Sequence, residues 1–135
     1  MKRLIVDLDD TVSITVKGDY VNSKPINVMI ENLKKYKLEG FEIVINSSRN
    51  MRTFENNIGK INMYTLPNII EWLKLHNVPF DEVYIGKPWC GYDGFYIDDK
   101  AIRPSAFLNY TYEEIIAFLD NEKKFWNGDM KELNN

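Results

Sequence analysis

Arg3-Leu4-Ile5-Val6-Asp7-Leu8-Asp9-Asp10-Thr11 decides how the rest of the chain is read. Leu4, Ile5 and Val6 are consecutive and apolar, the pattern of a short strand buried on both faces of a parallel sheet. Asp7 stands where that strand runs out, and Asp9 follows two residues later. In extended geometry two such side chains point the same way. Carboxylates held that close repel, and ionising both at neutral pH calls for a compensating charge, for which a hard dication with oxygen ligands is the usual solution.

Working outward, Thr11 to Tyr20 alternates Val12, Ile14 and Val16 with Ser and Thr before Lys17-Gly18-Asp19, and reads as a hairpin or flap. Ser23-Lys24-Pro25 reads as a helix start, with Ser23 as N-cap and Pro25 in the first turn. Ile26, Met29, Ile30 and Leu33 recur at helical spacing, and Gly40 stops the helix. Phe41 to Ile45 is a second strand, ending in Asn46-Ser47-Ser48-Arg49-Asn50. A helix opens at Thr65-Leu66-Pro67 and carries Ile69, Ile70, Trp72 and Leu73. Glu82 to Ile85 is a third strand, closed by Gly86-Lys87-Pro88. Phe95 to Ile97 reads as a fourth, followed at once by Asp98-Asp99. Thr111 and Glu114 form a capping-box signature for a last helix from Tyr112 to Phe125.

Strands alternating with helices predict an α/β fold: a single Rossmann-like domain over residues 1–126, a mostly parallel sheet flanked by helices, and a polar tail over 127–135. Ligands of such sheets bind beyond the carboxyl ends of the strands, where Asp7, Asp9, Ser47, Lys87, Asp98 and Asp99 are all placed. Acids, a hydroxyl and an amine are what a phosphate ester needs: a nucleophile, a metal and donors for the nonbridging oxygens.

The 135 residues suit one domain. Seventeen basic against twenty acidic residues give a net charge of −3 without a long run of either sign. That disfavours nucleic acid as partner, because no basic stripe tracks a phosphate backbone. The single cysteine, Cys90, excludes an internal disulfide framework and fits a reducing compartment, with the cytoplasm as default. The apolar stretch after Lys2 and Arg3 stops at Asp7, too soon for a signal peptide or a membrane span.

The order Asp7-Leu8-Asp9-Asp10-Thr11, then Ser47 closing a strand, then Lys87, then Asp98-Asp99 resembles the four motifs of the haloacid-dehalogenase (HAD) superfamily over about residues 3 to 110. The resemblance implies a Mg²⁺-dependent phosphatase. By that resemblance Asp7 would attack phosphorus to give an aspartyl-phosphate, and Asp9 would protonate the leaving oxygen and then activate water. Ser47 and Lys87 would bind the phosphoryl group, with Arg49 expected as a further phosphate ligand. The resemblance further implies that Mg²⁺ would be held by Asp7, the main-chain carbonyl of Asp9, and Asp98, with Asp99 supporting it through water. Asp10 stands where many members carry glycine, and Ser47 where threonine is commoner. The choice of Ser47 over Ser48 rests on placing Arg49 as the superfamily places its following arginine.

The flap and helices fill the stretches where a cap domain would be inserted, so the chain resembles capless members, similar to short capsule-biosynthesis phosphatases; Gly86-Lys87-Pro88-Trp89-Cys90-Gly91 shares in that likeness. The implied substrate is a small-molecule phosphate ester, a sugar- or polyol-phosphate of polysaccharide biosynthesis. An open site leaves water exclusion to a bulky substrate, the flap or a neighbouring subunit, which favours a homo-oligomer.

Plainer readings stand beside these. Asp-rich strand ends also serve as solvated loops. Ser47 and Ser48 suit a helix cap, Lys87 an ordinary surface, and Arg49 and Arg52 solvated or structural roles with a grip on phosphate as the alternative. His76 lacks a second metal-ligating partner at ligand spacing, and Cys90 reads as a buried or substrate-lining residue. Rival functions are a phosphotransferase, a polynucleotide-end phosphatase, or a non-catalytic metal-holding module.

Overall fold

The structure, a computed structural model, describes residues 1–129. Contacts group the chain into two compact units, Met1–Trp89 and a C-terminal unit beginning at Cys90. The N-terminal unit holds strands β1 (Arg3–Val6), β2 (Ser13–Ile14) and β3 (Lys24–Pro25), helix α1 (Asn27–Leu38), strand β4 (Glu42–Asn46), helices α2 (Ile58–Tyr64) and α3 (Leu66–Leu75), and strand β5 (Glu82–Tyr84). Two right-length crossovers make the sheet parallel, in the order β1-β4-β5. The fold is α/β, a parallel sheet with flanking helices, consistent with a Rossmann-like arrangement.

Register explains why the strand ends matter. Val6 pairs with Ile45, and Asn46 pairs with Tyr84, so the three strands finish at one level. Whatever follows each of them emerges along a single edge of the sheet. The middle strand is the buried one, with Ile43, Val44 and Ile45 at most 1% exposed. Against the expectation of a first strand buried on both faces, β1 lies at the end of the sheet order and Ile5 is 58% exposed. Its apolar run reflects a strand with one ladder partner, β4.

Helix α1 turns Met29, Ile30, Leu33 and Tyr36 inward, and α3 buries Ile69, Trp72 and Leu73. Burial of such side chains, at about 1.5–3 kcal/mol each, is what holds helix to sheet. Gly40, with φ +93, ends α1 as expected. The start differs. Lys24 and Pro25 form β3, paired antiparallel with β2, and α1 begins after Ile26 with no side-chain cap. Pro25 suits a two-residue edge strand as well as a first helical turn, because neither needs its missing N–H. Ser23, expected as that cap, is spent on tertiary contacts described below.

The C-terminal unit holds α4 (Pro104–Asn109) and α5 (Tyr112–Lys124). The capping box at Thr111 and Glu114 is present in both its hydrogen bonds. The fourth strand expected over Phe95 to Ile97 is not formed among the described residues. Phe95 and Ile97 are exposed, and an apolar run of three that buries nothing gains little from its strand propensity. Phe125–Asp129, which takes in the start of the expected polar tail over 127–135, closes as a short π-helical turn, and residues 130–135 lie outside the described residues. No helix among the described residues is long and apolar enough to cross a membrane.

Candidate active site

Asp7 is the first residue beyond β1. Its carboxyl is pushed above the ordinary range, chiefly because burial penalises the charged form, and Asp9 adds a smaller repulsion. The Lys87 ammonium and the Leu8 backbone N–H pull the other way without cancelling the burial. Lys87 Nζ lies 3.5 Å from Asp7 Oδ1, and the Thr11 hydroxyl donates to Asp7 Oδ2 at 3.3 Å.

The loop after Asp7 is wound tightly around one carbonyl. Leu8 O accepts N–H bonds from Thr11, Val12 and Ser13, and Leu8 and Val12 are fully buried. The turn requires a left-handed residue at Asp10, φ +63. That is where the HAD resemblance expects glycine, and aspartate is among the few other residues that take this conformation at modest cost.

Asp9 is held on both oxygens. Arg49 Nη2 donates to Oδ1 at 2.8 Å and Nε to Oδ2 at 3.1 Å, a bidentate fork. Thr15 Oγ1 donates to Oδ1 at 2.8 Å, with Ser13 Oγ more distant at 3.4 Å. Arg49 is only 4% exposed, and the Tyr20 ring lies 4.3 Å from its guanidinium carbon. Arg49, expected at the substrate phosphate, is thus seated against the second carboxylate. Sequence reasoning missed Thr15 and Tyr20 as members of the site, because nothing in the flap's alternation signals which hydroxyl or ring turns inward.

The flap itself is tied down. Thr15 Oγ1 and Ser23 Oγ share a 2.8 Å hydrogen bond, and the buried indole of Trp72 donates from Nε1 to the Ser23 carbonyl at 3.0 Å. A residue of the flap, one after it and one in α3 therefore converge behind Asp9.

Ser47 is the first residue past β4 and is 1% exposed. Its Oγ accepts the Arg49 N–H at 3.0 Å, which folds a turn, and the next helix does not begin until Ile58. Ser47 N donates to Tyr84 O, and Lys87 N donates to Ser47 O, which continues the β4–β5 ladder beyond both strands. Arg52 lies over the Trp89 ring at 5.9 Å. His76 packs its ring against Trp72, and Cys90 is a free, partly buried thiol.

Asp7, Asp9, Ser47, Arg49 and Lys87 therefore belong to one edge of the N-terminal unit. Asp98 and Asp99 belong to the C-terminal unit, where Asp98 accepts the Lys100 N–H in a turn. Among the described residues no group of three or more His, Cys, Asp or Glu side chains is gathered as a metal-ligand set. What the N-terminal unit offers a cation is the chemistry of Asp7: a desolvated carboxylate whose charge Lys87 only partly offsets. A hard, oxygen-seeking dication fits that deficit.

A crystal structure of a structural-genomics target from Vibrio cholerae matches this chain at a TM-score of 0.88 and 56% sequence identity, covering 90% of this chain and 99% of that one. The chain belongs to that protein's family. More than half of the aligned residues are identical in the Vibrio family member, and the α/β scaffold is common to both. No family model matches the sequence, and no curated protein does either.

Proposed function

We propose that the chain is a Mg²⁺-dependent phosphomonoester hydrolase of HAD type, acting through an aspartyl-phosphate on Asp7. The observation that supports this best is the pairing at one sheet edge of two carboxylates in different surroundings. Asp7 is desolvated beside an ammonium, and Asp9 is gripped on both oxygens by Arg49. A nucleophile that meets an anionic phosphoryl group gains from the ammonium beside Asp7, and a proton carrier gains from the fixed direction that the Arg49 fork gives Asp9.

In the first half-reaction an Asp7 oxygen attacks phosphorus, the ester P–O bond breaks, and Asp9 hands its proton to the departing alkoxide. Asp9, now ionised, then takes a proton from water as that water attacks the aspartyl-phosphate, releasing inorganic phosphate and restoring the Asp7 carboxylate. Ser47 and Lys87 serve as donors to the nonbridging oxygens, where the transition state carries its charge. Mg²⁺, when bound, offsets the combined negative charge of Asp7 and the phosphoryl group. The resemblance assigns its holding to Asp7, the main-chain carbonyl of Asp9, and Asp98, with Asp99 acting through water.

A small sugar- or polyol-phosphate of polysaccharide biosynthesis is the proposed substrate, on the resemblance to capless members. A cytoplasmic setting suits the free thiol of Cys90. A homo-oligomer belongs to the same proposal. Phosphate release measured across sugar phosphates, nucleotides and amino-alcohol phosphates tests the reading. Asp7→Asn is expected to abolish release and chelation of Mg²⁺ to silence the wild type. Full turnover by Asp7→Asn would sink the mechanism.

A further inference from the structure

Resting on that phosphatase reading, the geometry points to Arg49 as a positioning residue that acts through Asp9, with Thr15 as its second support, and not as a ligand of the substrate phosphate. A carboxylate at the end of a strand ordinarily swings between rotamers. Here both oxygens are claimed in one plane, by Nε and Nη2 of the same planar guanidinium. The guanidinium is itself immobilised by burial, by the Tyr20 ring on its face, and by the turn in which the Arg49 N–H binds Ser47 Oγ. Thr15 adds a third short bond from the flap side.

A proton donor must meet the leaving oxygen at hydrogen-bond distance and along a usable direction. The fork sets that direction. It leaves Asp9 a quarter exposed, at 24% of its side chain, while Arg49 keeps only 3% of its own surface. The side chain that remains accessible to a substrate is the acid, and the arginine stands behind it.

Two substrates separate this role from phosphate binding. An alkyl phosphate has a poor leaving group and needs the proton from Asp9, whereas dinitrophenyl phosphate expels a stable phenolate without it. The parameter to compare is kcat/KM, which covers phosphoryl transfer and excludes the later hydrolysis of the aspartyl-phosphate. Arg49→Ala is expected to lower kcat/KM for the alkyl ester on the order of 100-fold, the scale for misplacing a reacting group, and to leave the dinitrophenyl ester little changed. Arg49→Lys, which keeps the charge but loses the fork, falls between. Thr15→Val, which disturbs no buried cation, shows the same selectivity in smaller measure. In an Asp9→Asn background, removing Arg49 costs nothing further.

Inhibition by beryllofluoride, a tetrahedral phosphoryl mimic without a leaving oxygen, stays at the wild-type level in the Arg49 variants. Equal losses on both esters, or weakened beryllofluoride inhibition, overturn the inference and return Arg49 to the phosphate. A wild type that hydrolyses neither ester with Mg²⁺ present overturns the phosphatase reading itself. Thermal melts of each variant accompany the kinetics, and Thr15→Val carries the test if Arg49→Ala does not fold.

Discussion

Replacing Lys87 by methionine removes the ammonium beside Asp7 and keeps most of the side chain's volume. At 3.5 Å the pair's attraction is roughly 5 kcal/mol at an effective dielectric of about 20. Asp7 retains 36% of its side-chain exposure and Lys87 19%, so solvent screens much of this. A discounted value of about 1 kcal/mol is the expectation for a partly exposed pair of this kind. Because burial already holds the Asp7 carboxyl above its unfolded value, losing Lys87 raises it further. A raised carboxyl favours the folded state only while protonated. Its contribution is complete below the unfolded value near 3.8 and is lost as pH climbs through the folded one. Lys87→Met is therefore expected to destabilise at neutral pH and to do so progressively less in acid. The assay is a double-mutant cycle of Lys87→Met and Asp7→Asn by urea denaturation, in the presence of chelator, at neutral and acidic pH. A coupling energy that is absent at neutral pH, or that persists unchanged once Asp7 is protonated, refutes the electrostatic account of the pair.

Gly86, Asp81 and Asp7 itself supply three further expectations. Gly86 has φ +84, and a Cβ there would meet Ile58 Cδ1 at 2.6 Å, so Gly86→Ala is expected to cost about 1–2 kcal/mol in a denaturant melt. The flexible Ile58 tip can yield, which makes the backbone conformation the larger share of that loss. Asp81 accepts from Lys37 Nζ at 2.7 Å on both oxygens and from the Ile43 N–H, and its carboxyl is held below the ordinary range. This contribution is present above the unfolded value near 3.8 and lost as pH falls through the lower folded one, so Asp81→Asn flattens the acid limb of a pH–stability curve. For Asp7→Asn in chelator, the same reasoning run for a raised carboxyl gives a higher melting temperature than wild type at neutral pH, a gain that vanishes in acid. A lower melting temperature at neutral pH would show that Asp7 is not held at a cost.

The parallel sheet was legible because Leu4 to Val6, Phe41 to Ile45 and Glu82 to Ile85 are short apolar runs separated by helical periods. The position of Asp7, Ser47 and Lys87 at strand ends came with them. The burial of each strand was not, since sheet order decides which strand is covered, and it exposes Ile5 while burying Ile43. Nor was the duty of Ser23. A Ser with Pro two residues on at the start of an apolar period reads as a cap, but the hairpin competes for the same residues and takes Lys24 and Pro25 into a strand. Arg49 was found by its place after Ser47, yet its partner was invisible, because an ion pair forty positions apart in sequence is created by the fold alone. The left-handed turn at Asp10 is the reverse case, in which the residue that departs from the expected glycine is one of those the backbone tolerates.

The backbone bond from Lys87 N to Ser47 O has a consequence for precision. The hydroxyl and the ammonium are carried on different strands, and in most sheets two such groups would drift apart whenever the strands slide or splay. Here the ladder runs on past the strands and ends between these two residues, like a rivet at the tip of a pair of rails. The bond anchors the two main chains to each other where the strands have already ended, so the distance between hydroxyl and ammonium is left to the side-chain rotamers alone.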